Sequence, residues 1–312
     1  MATVYTPDTL EHAHEPTFSF IGVTTGSSSI MRVFPAWADH LGIPSRIVGV
    51  DIPLDASPEQ YRSVVSFIAS DENWRGSLVT THKLNLYNAT RDMFADVGES
   101  ARLLDEISSI SKGPDGLHGH AMDDVTAGLS YQDAVGPGFT GEVLLLGAGG
   151  ASLALTLYLH RRQQAAAPVP SRLVVTNRRP ARLEEMRDLH RRLGFRIPVE
   201  YRTAGQPEAN DAALSTMAEG TLVINATGLG KDRPGSPLTA QAVFPAGAVA
   251  WDFNYRGDLV FLDQAKAAGV RTVDGWFYFL HGWTRVIAQV FDLDIPTSGP
   301  QFDELARIAR AA

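Results

Sequence analysis

Residues 143–152 read VLLLGAGGAS, and this stretch decides the fold of the second half of the chain. The four apolar residues predict a buried strand, and glycines at 147 and 149 allow a tight turn and a close backbone approach to a diphosphate. A helix that begins at Gly150 would offer free N–H groups and a partial positive charge at its N-terminus. Ser152 takes the third glycine position, and its small side chain still permits close packing of helix on strand. The stretch therefore predicts a dinucleotide-binding turn made of Gly147, Ala148, Gly149, Gly150 and Ala151.

The end of the next predicted strand indicates which dinucleotide binds. Proteins that use NAD place a carboxylate there to accept hydrogen bonds from the ribose 2′-OH, whereas residues 174–179 read VVTNRR and contain no acid. Guanidinium groups match the geometry of a phosphate and stack on adenine. Asn177, Arg178 and Arg179 therefore favour NADP over NAD, unless the two arginines are simply solvated residues at the start of a helix.

Short apolar runs alternate with amphipathic stretches on both sides of this turn. Strands are predicted at 18–23, 46–50, 76–79, 142–146, 172–176, 221–225, 248–253 and 271–273. Helices are predicted at 30–41, 58–69, 150–164, 180–193, 276–291 and 301–311, with a hairpin over 107–120 and a linker over 131–140. This rhythm is typical of an α/β protein whose parallel strands are covered by helices. We expect an α/β substrate domain (1–126), a Rossmann-like NADP-binding domain (127–275) and C-terminal helices (276–312) that pack back on the first domain.

Composition excludes several classes of function. The chain has 312 residues, 27 Lys+Arg against 35 Asp+Glu, a net charge of −8 and no Cys. An acidic chain without a basic block is not expected to bind nucleic acid or an anionic membrane. The absence of Cys excludes disulfides, thiolate nucleophiles and Cys-based zinc sites and suits a cytoplasmic location. The nine His are scattered, so no metal site is expected, and residues 1–18 resemble a short mobile leader more than a secretory signal.

The order of five motifs resembles the shikimate dehydrogenase family over residues 18–291. The first two are the Ser-rich segment 21–29, IGVTTGSSS, and the segment 79–83, VTTHK, which is similar to the family's NVTxPxK. The third is Met122-Asp123, similar to the end of the family's NTD. The last two are the glycine turn with Asn177-Arg178, and residues 225–227, NAT, with Asp274-Gly275.

The resemblance implies roles for particular residues. The family places a Lys and an Asp together in the cleft between a substrate domain and a nucleotide domain, and these roles fall on Lys83 and Asp123. Oxidation of a secondary alcohol requires a proton to leave the hydroxyl as hydride leaves the carbon, and a lysine can exchange that proton. Asp123 would hold the alcohol and the ammonium in line, while Asp124 takes a place usually held by Gly. Further cofactor contacts are implied for Ala226, Thr227 and Gly275.

Several positions depart from the family's substrate motifs. Ser28 is followed by Ile30 and Met31 where the SxSP motif has a second Ser, and Ser108 and Ala121 replace Asn residues. Each lost hydrogen bond should cost about 1–3 kcal/mol of affinity for a polyol such as shikimate. The sequence therefore predicts a different small cyclic hydroxy acid or polyol. The candidate substrate-binding residues are Ser28, Thr80, Ser108, Tyr255, Tyr278 and His281.

These features together predict an NADP-dependent alcohol dehydrogenase of the shikimate dehydrogenase type, acting as a monomer or homodimer. One alternative is a non-catalytic sensor of NADP or of a metabolite on the same fold, which would have no need of a Lys/Asp proton relay. Another is a folate-type dehydrogenase, although the order of motifs fits it less well.

Overall fold

The computed structural model describes residues 2–231 and 233–312. Contacts divide the chain into two compact units. The first unit runs up to Met122 and includes Gly282–Ala312, and the second unit is Asp123–His281. Each contains its own β-sheet covered by helices, and the C-terminal helices group with the first unit, so the predicted fold class is confirmed.

The first unit is built on a seven-stranded sheet of order β1-β3-β2-β4-β6-β7-β5. Its elements before Met122 are β1 (Val4–Tyr5), β2 (Thr17–Gly22), α1 (Ile30–Leu41), β3 (Arg46–Asp51), α2 (Pro58–Ser70), β4 (Trp74–Val79), α3 (Lys83–Thr90), β5 (Phe94–Val97), α4 (Glu99–Leu104), β6 (Ser109–Gly113) and β7 (Gly116–His120). The first four strands of this order are parallel, and β6 is antiparallel to both β4 and β7. The carboxyl ends of β2, β3 and β4 therefore lie along one edge of the sheet.

The second unit is built on six parallel strands of order β10-β9-β8-β11-β12-β13. Its elements are α5 (Asp123–Val135), β8 (Glu142–Leu146), α6 (Gly150–Gln164), β9 (Arg172–Asn177), α7 (Pro180–Leu193), β10 (Val199–Thr203), α8 (Pro207–Leu214), β11 (Leu222–Asn225), β12 (Val249–Asp252), α9 (Val260–Ala267), β13 (Arg271–Val273) and the start of α10 (Trp276–Phe291). The chain then returns to the first unit and ends with α11 (Pro300–Ala311). This strand order is that of a dinucleotide-binding Rossmann sheet. All strands stay parallel, and it is the order in which the chain adds them that reverses at β8.

Two expectations about connecting segments are wrong. The leader is not loose, because β1 pairs with β3 and the buried Asp71 carboxylate accepts a hydrogen bond from the Ala13 N–H (2.8 Å). The first half of the predicted linker is helical, because α5 continues to Val135 and buries Tyr131. Only the Pro-Gly part of that segment lies outside the helix. Among the described residues, no helix has both the length and the apolar character needed to cross a membrane.

Candidate functional site

The glycine turn after β8 has the geometry that a diphosphate requires. Gly147 adopts a φ of +114°, and a Cβ at this position would lie 2.7 Å from the Ala226 carbonyl oxygen. At Gly149, by contrast, a Cβ would meet nothing within 4 Å. The Ser152 hydroxyl donates to the Gly147 carbonyl (2.8 Å) and closes the turn. The turn thus leaves open space directly at the N-terminus of α6, where free N–H groups attract an anion.

A cavity of about 430 Å³ adjoins this turn. Its walls come from the turn, from the ends of β9, β10 and β11, and from the first turn of α8. The residues that line it include Gly147, Ala148, Gly149, Asn177, Arg178, Arg179, Gln206, Asn210, Ala226, Thr227, Arg233 and Pro237. Eight predicted cofactor-binding residues are therefore brought together at one cavity, whereas Gly150, Ala151 and Gly275 do not line it.

The Asn177-Arg178-Arg179 segment forms a compact turn at the cavity rim. The Asn177 side-chain oxygen accepts a hydrogen bond from the Arg179 N–H (2.9 Å). This bond fixes the backbone just before α7, and both arginine side chains are exposed. Two guanidinium groups on one rim give this part of the cavity the local positive charge that the chain as a whole lacks.

A buried carboxylate organises the ends of β11 and β12. Asp252 is fully buried and accepts hydrogen bonds from Asn225 Nδ2 and from the N–H and Nδ2 of Asn254, each at 2.8 Å. Asn225 Oδ1 in turn accepts from the Thr227 hydroxyl (2.7 Å). Burial raises the pKa of Asp252 to about 6, and the donors from Asn254 and Asn225 oppose that rise. This network holds Ala226 and Thr227 beside the glycine turn.

Lys83 lies at the carboxyl edge of the first unit's sheet. The Thr80 N–H donates to the Ile21 carbonyl of β2 (3.0 Å), so the chain still follows the sheet at this point. Thr81 then adopts a φ of +44°, which is costly for a β-branched residue and is a type of strain found at functional sites. The His82 N–H donates to the Thr80 carbonyl across this reversal, and α3 begins at Lys83.

The neighbour His82 is held by both ring nitrogens. Nε2 lies 2.9 Å from the Ile52 carbonyl oxygen, and Nδ1 lies 2.9 Å from the Tyr61 hydroxyl. Because a carbonyl only accepts, Nε2 carries the proton and Nδ1 accepts from Tyr61. Burial lowers the pKa of His82. The neutral ring thus ties the start of α3 to the end of β3 and to α2. The sequence analysis did not predict this role for His82. The available signal was that the residue before His82 is Thr81, where the family motif has Pro.

Ser28 and Thr80 lie on loops at the same edge. The Thr25 N–H and hydroxyl both donate to Asp51 Oδ1 (2.8 and 2.6 Å), and the Ser28 N–H donates to the Thr25 carbonyl (2.9 Å). A Cβ added at Gly22 would lie 3.1 Å from the methyl groups of both Thr25 and Thr80. The loops after β2, β3 and β4 therefore crowd together at the edge where Lys83 begins α3.

Ser108 fixes the residue that precedes Asp123. Its Oγ accepts from the Met122 N–H (2.8 Å), and its carbonyl accepts from the Val79 N–H (2.8 Å). Asp123 is the first residue of α5 and is half-buried. Asp124 is buried and forms an ion pair with Arg161. The Asp124 carboxylate is therefore engaged with Arg161, and the catalytic role expected for Asp123 stays a prediction.

The three remaining substrate candidates lie in the second unit, each packed against a different neighbour. The Tyr255 ring packs 4.7 Å from that of Phe279, and the Tyr278 ring packs 5.0 Å from that of Phe253. His281 is fully buried, with Nε2 2.8 Å from Asp133 Oδ2 on α5.

Gly275 is needed for backbone packing. A Cβ there would lie 2.2 Å from the Phe253 carbonyl oxygen, and the Gly275 N–H donates to the Asn254 carbonyl (2.9 Å). This close approach fixes the start of α10 against the strand end that carries Tyr255.

Comparison with known proteins confirms the resemblance inferred from the motifs. The chain is 28% identical over 252 residues to a shikimate dehydrogenase (NADP(+)) of Brucella abortus, covering 78% of each chain. The structure is similar to that of shikimate 5-dehydrogenase from Thermus thermophilus in complex with NADP(H) and shikimate (24% identity, TM-score 0.68, 94% of this chain and 99% of that one). It is also similar to quinate dehydrogenase from Corynebacterium glutamicum in complex with NAD (17% identity, TM-score 0.72, 96% and 99%). No family model matches the chain.

Proposed function

Because the chain is a divergent relative of the shikimate dehydrogenases, we propose that it is an oxidoreductase that moves hydride between NADP(H) and a small cyclic hydroxy acid or polyol. The glycine turn carries this proposal, since a Cβ at Gly149 would project into open space that a diphosphate can occupy. Arg178 and Arg179 on the same cavity suit a 2′-phosphate. NAD is the alternative cofactor, and it is the one bound by the similar quinate dehydrogenase.

In the proposed reaction, bound NADP would supply the acceptor for the hydride that leaves the carbinol carbon. The Lys83 amine takes the proton of the hydroxyl as the C–H bond breaks, which leaves a ketone and a lysine ammonium. The Asp123 carboxylate accepts a hydrogen bond from the Lys83 amine and so holds its nitrogen in line with the hydroxyl, whose one proton faces that nitrogen. In the reverse direction the ammonium returns the proton to the alkoxide oxygen. His82 and the strained Thr81 act as positioning residues, because they set where Lys83 enters α3.

The substrate is proposed to bind through hydroxyls of the first unit, with Ser28, Thr80 and Ser108 facing its polar groups. Tyr255, Tyr278 and His281 are the other residues proposed to contact it. Of these residues, His281 already has a partner in Asp133. Because the asparagines of the family motifs are absent, we expect a substrate other than shikimate.

A substrate panel tests the activity, with NADP and with shikimate, quinate, aminoshikimate-like and inositol-like alcohols. Reduction of the nicotinamide is followed by its absorbance. Replacing Lys83 with Ala should lower turnover roughly 100-fold through loss of acid–base catalysis and leave NADP affinity unchanged. The matched control is Lys266→Ala. Lys266 is exposed and forms a surface ion pair with Asp263, so this variant should behave as wild type. Unchanged turnover in Lys83→Ala would exclude the proton relay.

The altered substrate positions support a second candidate, a non-catalytic sensor on the same fold. A sensor would bind NADP tightly and give no turnover across the whole panel, whereas an enzyme would reduce the cofactor with at least one alcohol. Better catalytic efficiency with NAD than with NADP would reject the cofactor assignment alone.

A further inference from the structure

Asn210 is a buried polar residue in the cavity wall that neither the sequence motifs nor the proposed chemistry uses. It lies in the first turn of α8, is 8% exposed and lines the cavity. Its Nδ2 donates to the Pro237 carbonyl (2.8 Å), whereas its Oδ1 is buried and has no hydrogen-bond partner among the described residues. Buried polar groups are nearly always paired, so an unpaired acceptor in a cavity wall points to a ligand that donates.

The Pro237 contact fixes which end of the amide is the acceptor. A carbonyl oxygen can only accept, so the NH₂ group of Asn210 must face Pro237. Turning the amide over would set two oxygens against each other at hydrogen-bonding distance. Oδ1 is therefore held as a permanent acceptor, so Asn210 is suited to a donor group of the ligand and unsuited to a ligand carbonyl.

The strand order indicates which part of a dinucleotide meets Asn210. The diphosphate turn follows β8, the arginines that suit a 2′-phosphate follow β9, and α8 follows β10, the next strand toward that edge of the sheet. In a Rossmann sheet of this order the adenosine half lies on this side of the turn. Beyond the 2′-phosphate site, the group with an N–H donor on that half is the exocyclic amine of adenine.

We propose that Asn210 recognises the 6-amino group of adenine and makes the site selective for adenine over 6-oxopurine dinucleotides. This inference rests on the proposed binding of NADP. Hypoxanthine carries an acceptor where adenine carries the amine, so its oxygen would face Asn210 Oδ1. A site that offers only an acceptor rejects such an analogue because both oxygens lose their hydrogen bonds.

Calorimetric titration of the full-length protein with NADP and with deamino-NADP tests the proposal. Wild type should bind NADP roughly tenfold tighter than deamino-NADP. Asn210→Leu should bind both with similar affinity. Asn210→Asp loses the bond to Pro237 but keeps an acceptor, so it should retain the preference for NADP. Arg178→Ala is the control in the same cavity, and it should weaken both ligands by the same factor and preserve their ratio.

The outcomes separate this inference from the proposed function. Absence of NADP binding to folded wild type would overturn both. Binding of NADP with no preference over deamino-NADP, or an unchanged preference in Asn210→Leu, would overturn only the role of Asn210. Equal loss of preference in Asn210→Asp and Asn210→Leu would support recognition by Asn210 and would show that the bond to Pro237 is needed to position its oxygen. If Asn210→Leu does not fold, Asn210→Ser replaces it, with the same result expected.

Discussion

His190 lies inside the second unit, where its protonation is coupled to folding. Its side chain stacks on Phe195 with ring centroids 4.2 Å apart, and Nδ1 lies 2.6 Å from the Tyr201 hydroxyl. Burial lowers the pKa of His190 from its ordinary value of 6.5 to about 4. Between these two values the unfolded chain binds a proton that the folded protein does not. Stability contributed by the neutral ring is therefore present above pH 6.5 and is lost as the pH falls toward 4.

We expect His190→Gln to reduce the acid sensitivity of folding. The wild-type free energy of unfolding should fall by about 2 kcal/mol more than that of the variant between pH 8 and pH 5. Urea unfolding at both pH values measures this difference. Some acid sensitivity should remain in the variant, because burial also lowers the pKa of His82 and of His120. Identical losses in the two proteins would contradict the assignment.

The sequence alone reveals the roles of some residues of the candidate site and not those of others. Gly147, Gly149 and Arg178 could be assigned because their roles depend on neighbours within a few positions of the chain. His82 and Asn210 could not, because the partners that define them are distant in sequence. The carbonyl of Ile52 is 30 residues from His82, and that of Pro237 is 27 residues from Asn210. Such pairs become visible only once the sheets bring the segments together.

At the scale of elements, the turn between β8 and α6 contains one glycine expected to matter for cofactor binding, Gly149, and one expected to matter for stability, Gly147. Gly149→Ala should leave the midpoint of thermal unfolding unchanged, because its Cβ meets no protein atom within 4 Å. The same Cβ would occupy the space proposed for the diphosphate, so we expect NADP affinity to fall tenfold or more. Gly147→Ala should destabilise the protein by roughly 1–3 kcal/mol through its positive φ and its clash with Ala226.

Thermal unfolding and calorimetric titration of the two variants check this contrast. Normal NADP affinity in Gly149→Ala would place the diphosphate elsewhere and would count against the proposed cofactor site. Full stability in Gly147→Ala would contradict the geometry of the turn.

The contact between α5 and α6 depends on a glycine. A Cβ at Gly128 would lie 2.2 Å from Cδ2 of Tyr158 on α6. Gly128→Ala should therefore cost about 1–3 kcal/mol by overpacking, which outweighs the gain of about 1 kcal/mol in helix propensity. Urea unfolding measures the cost. Gly138→Ala is the matched control, since a Cβ there meets nothing within 4 Å, and it should be neutral.

A double variant identifies the cause of that cost. Tyr158→Ala removes the ring, so adding Gly128→Ala to it should cost much less than in wild type. Costs that simply add would show that the ring is not what excludes a side chain from position 128.

The sequence predicted the bounds of helices best where an apolar periodicity coincided with residues that typically begin or end a helix. The helices expected at 150–164, 180–193 and 276–291 have those bounds in the structure. The first opens on glycines and the second on Pro180, while the third has a broad apolar face. The strand β10 and the helix α8 were missed, because β10 is a half-buried edge strand whose alternation rests on Val199 and Tyr201 alone. Pro207, at the first position of α8, was the signal available for that helix.

At the scale of the whole molecule, the two units differ in how the chain builds them. The second unit is one continuous stretch that contains its complete six-stranded sheet and the core between the sheet and α8 and α9. The first unit needs two stretches. Trp37 Nε1 donates to the Leu305 carbonyl (2.8 Å), and the Trp283 ring packs edge-on against those of Phe18 and Phe20.

This difference predicts that residues 123–281 fold alone and bind NADP, while residues 1–122 do not fold without 282–312. Loss of the C-terminal stretch exposes parts of Phe18, Phe34 and Trp37, which are fully buried in the intact chain. Exposing a large apolar side chain costs about 1.5–3 kcal/mol, so several together approach the 5–15 kcal/mol that stabilises an ordinary domain. Circular dichroism and urea unfolding of both fragments test folding, and calorimetric titration tests NADP binding. Cooperative unfolding of 1–122 alone would show that the C-terminal helices are dispensable for the first unit. A disordered 123–281 fragment would show that the second sheet depends on the rest of the chain.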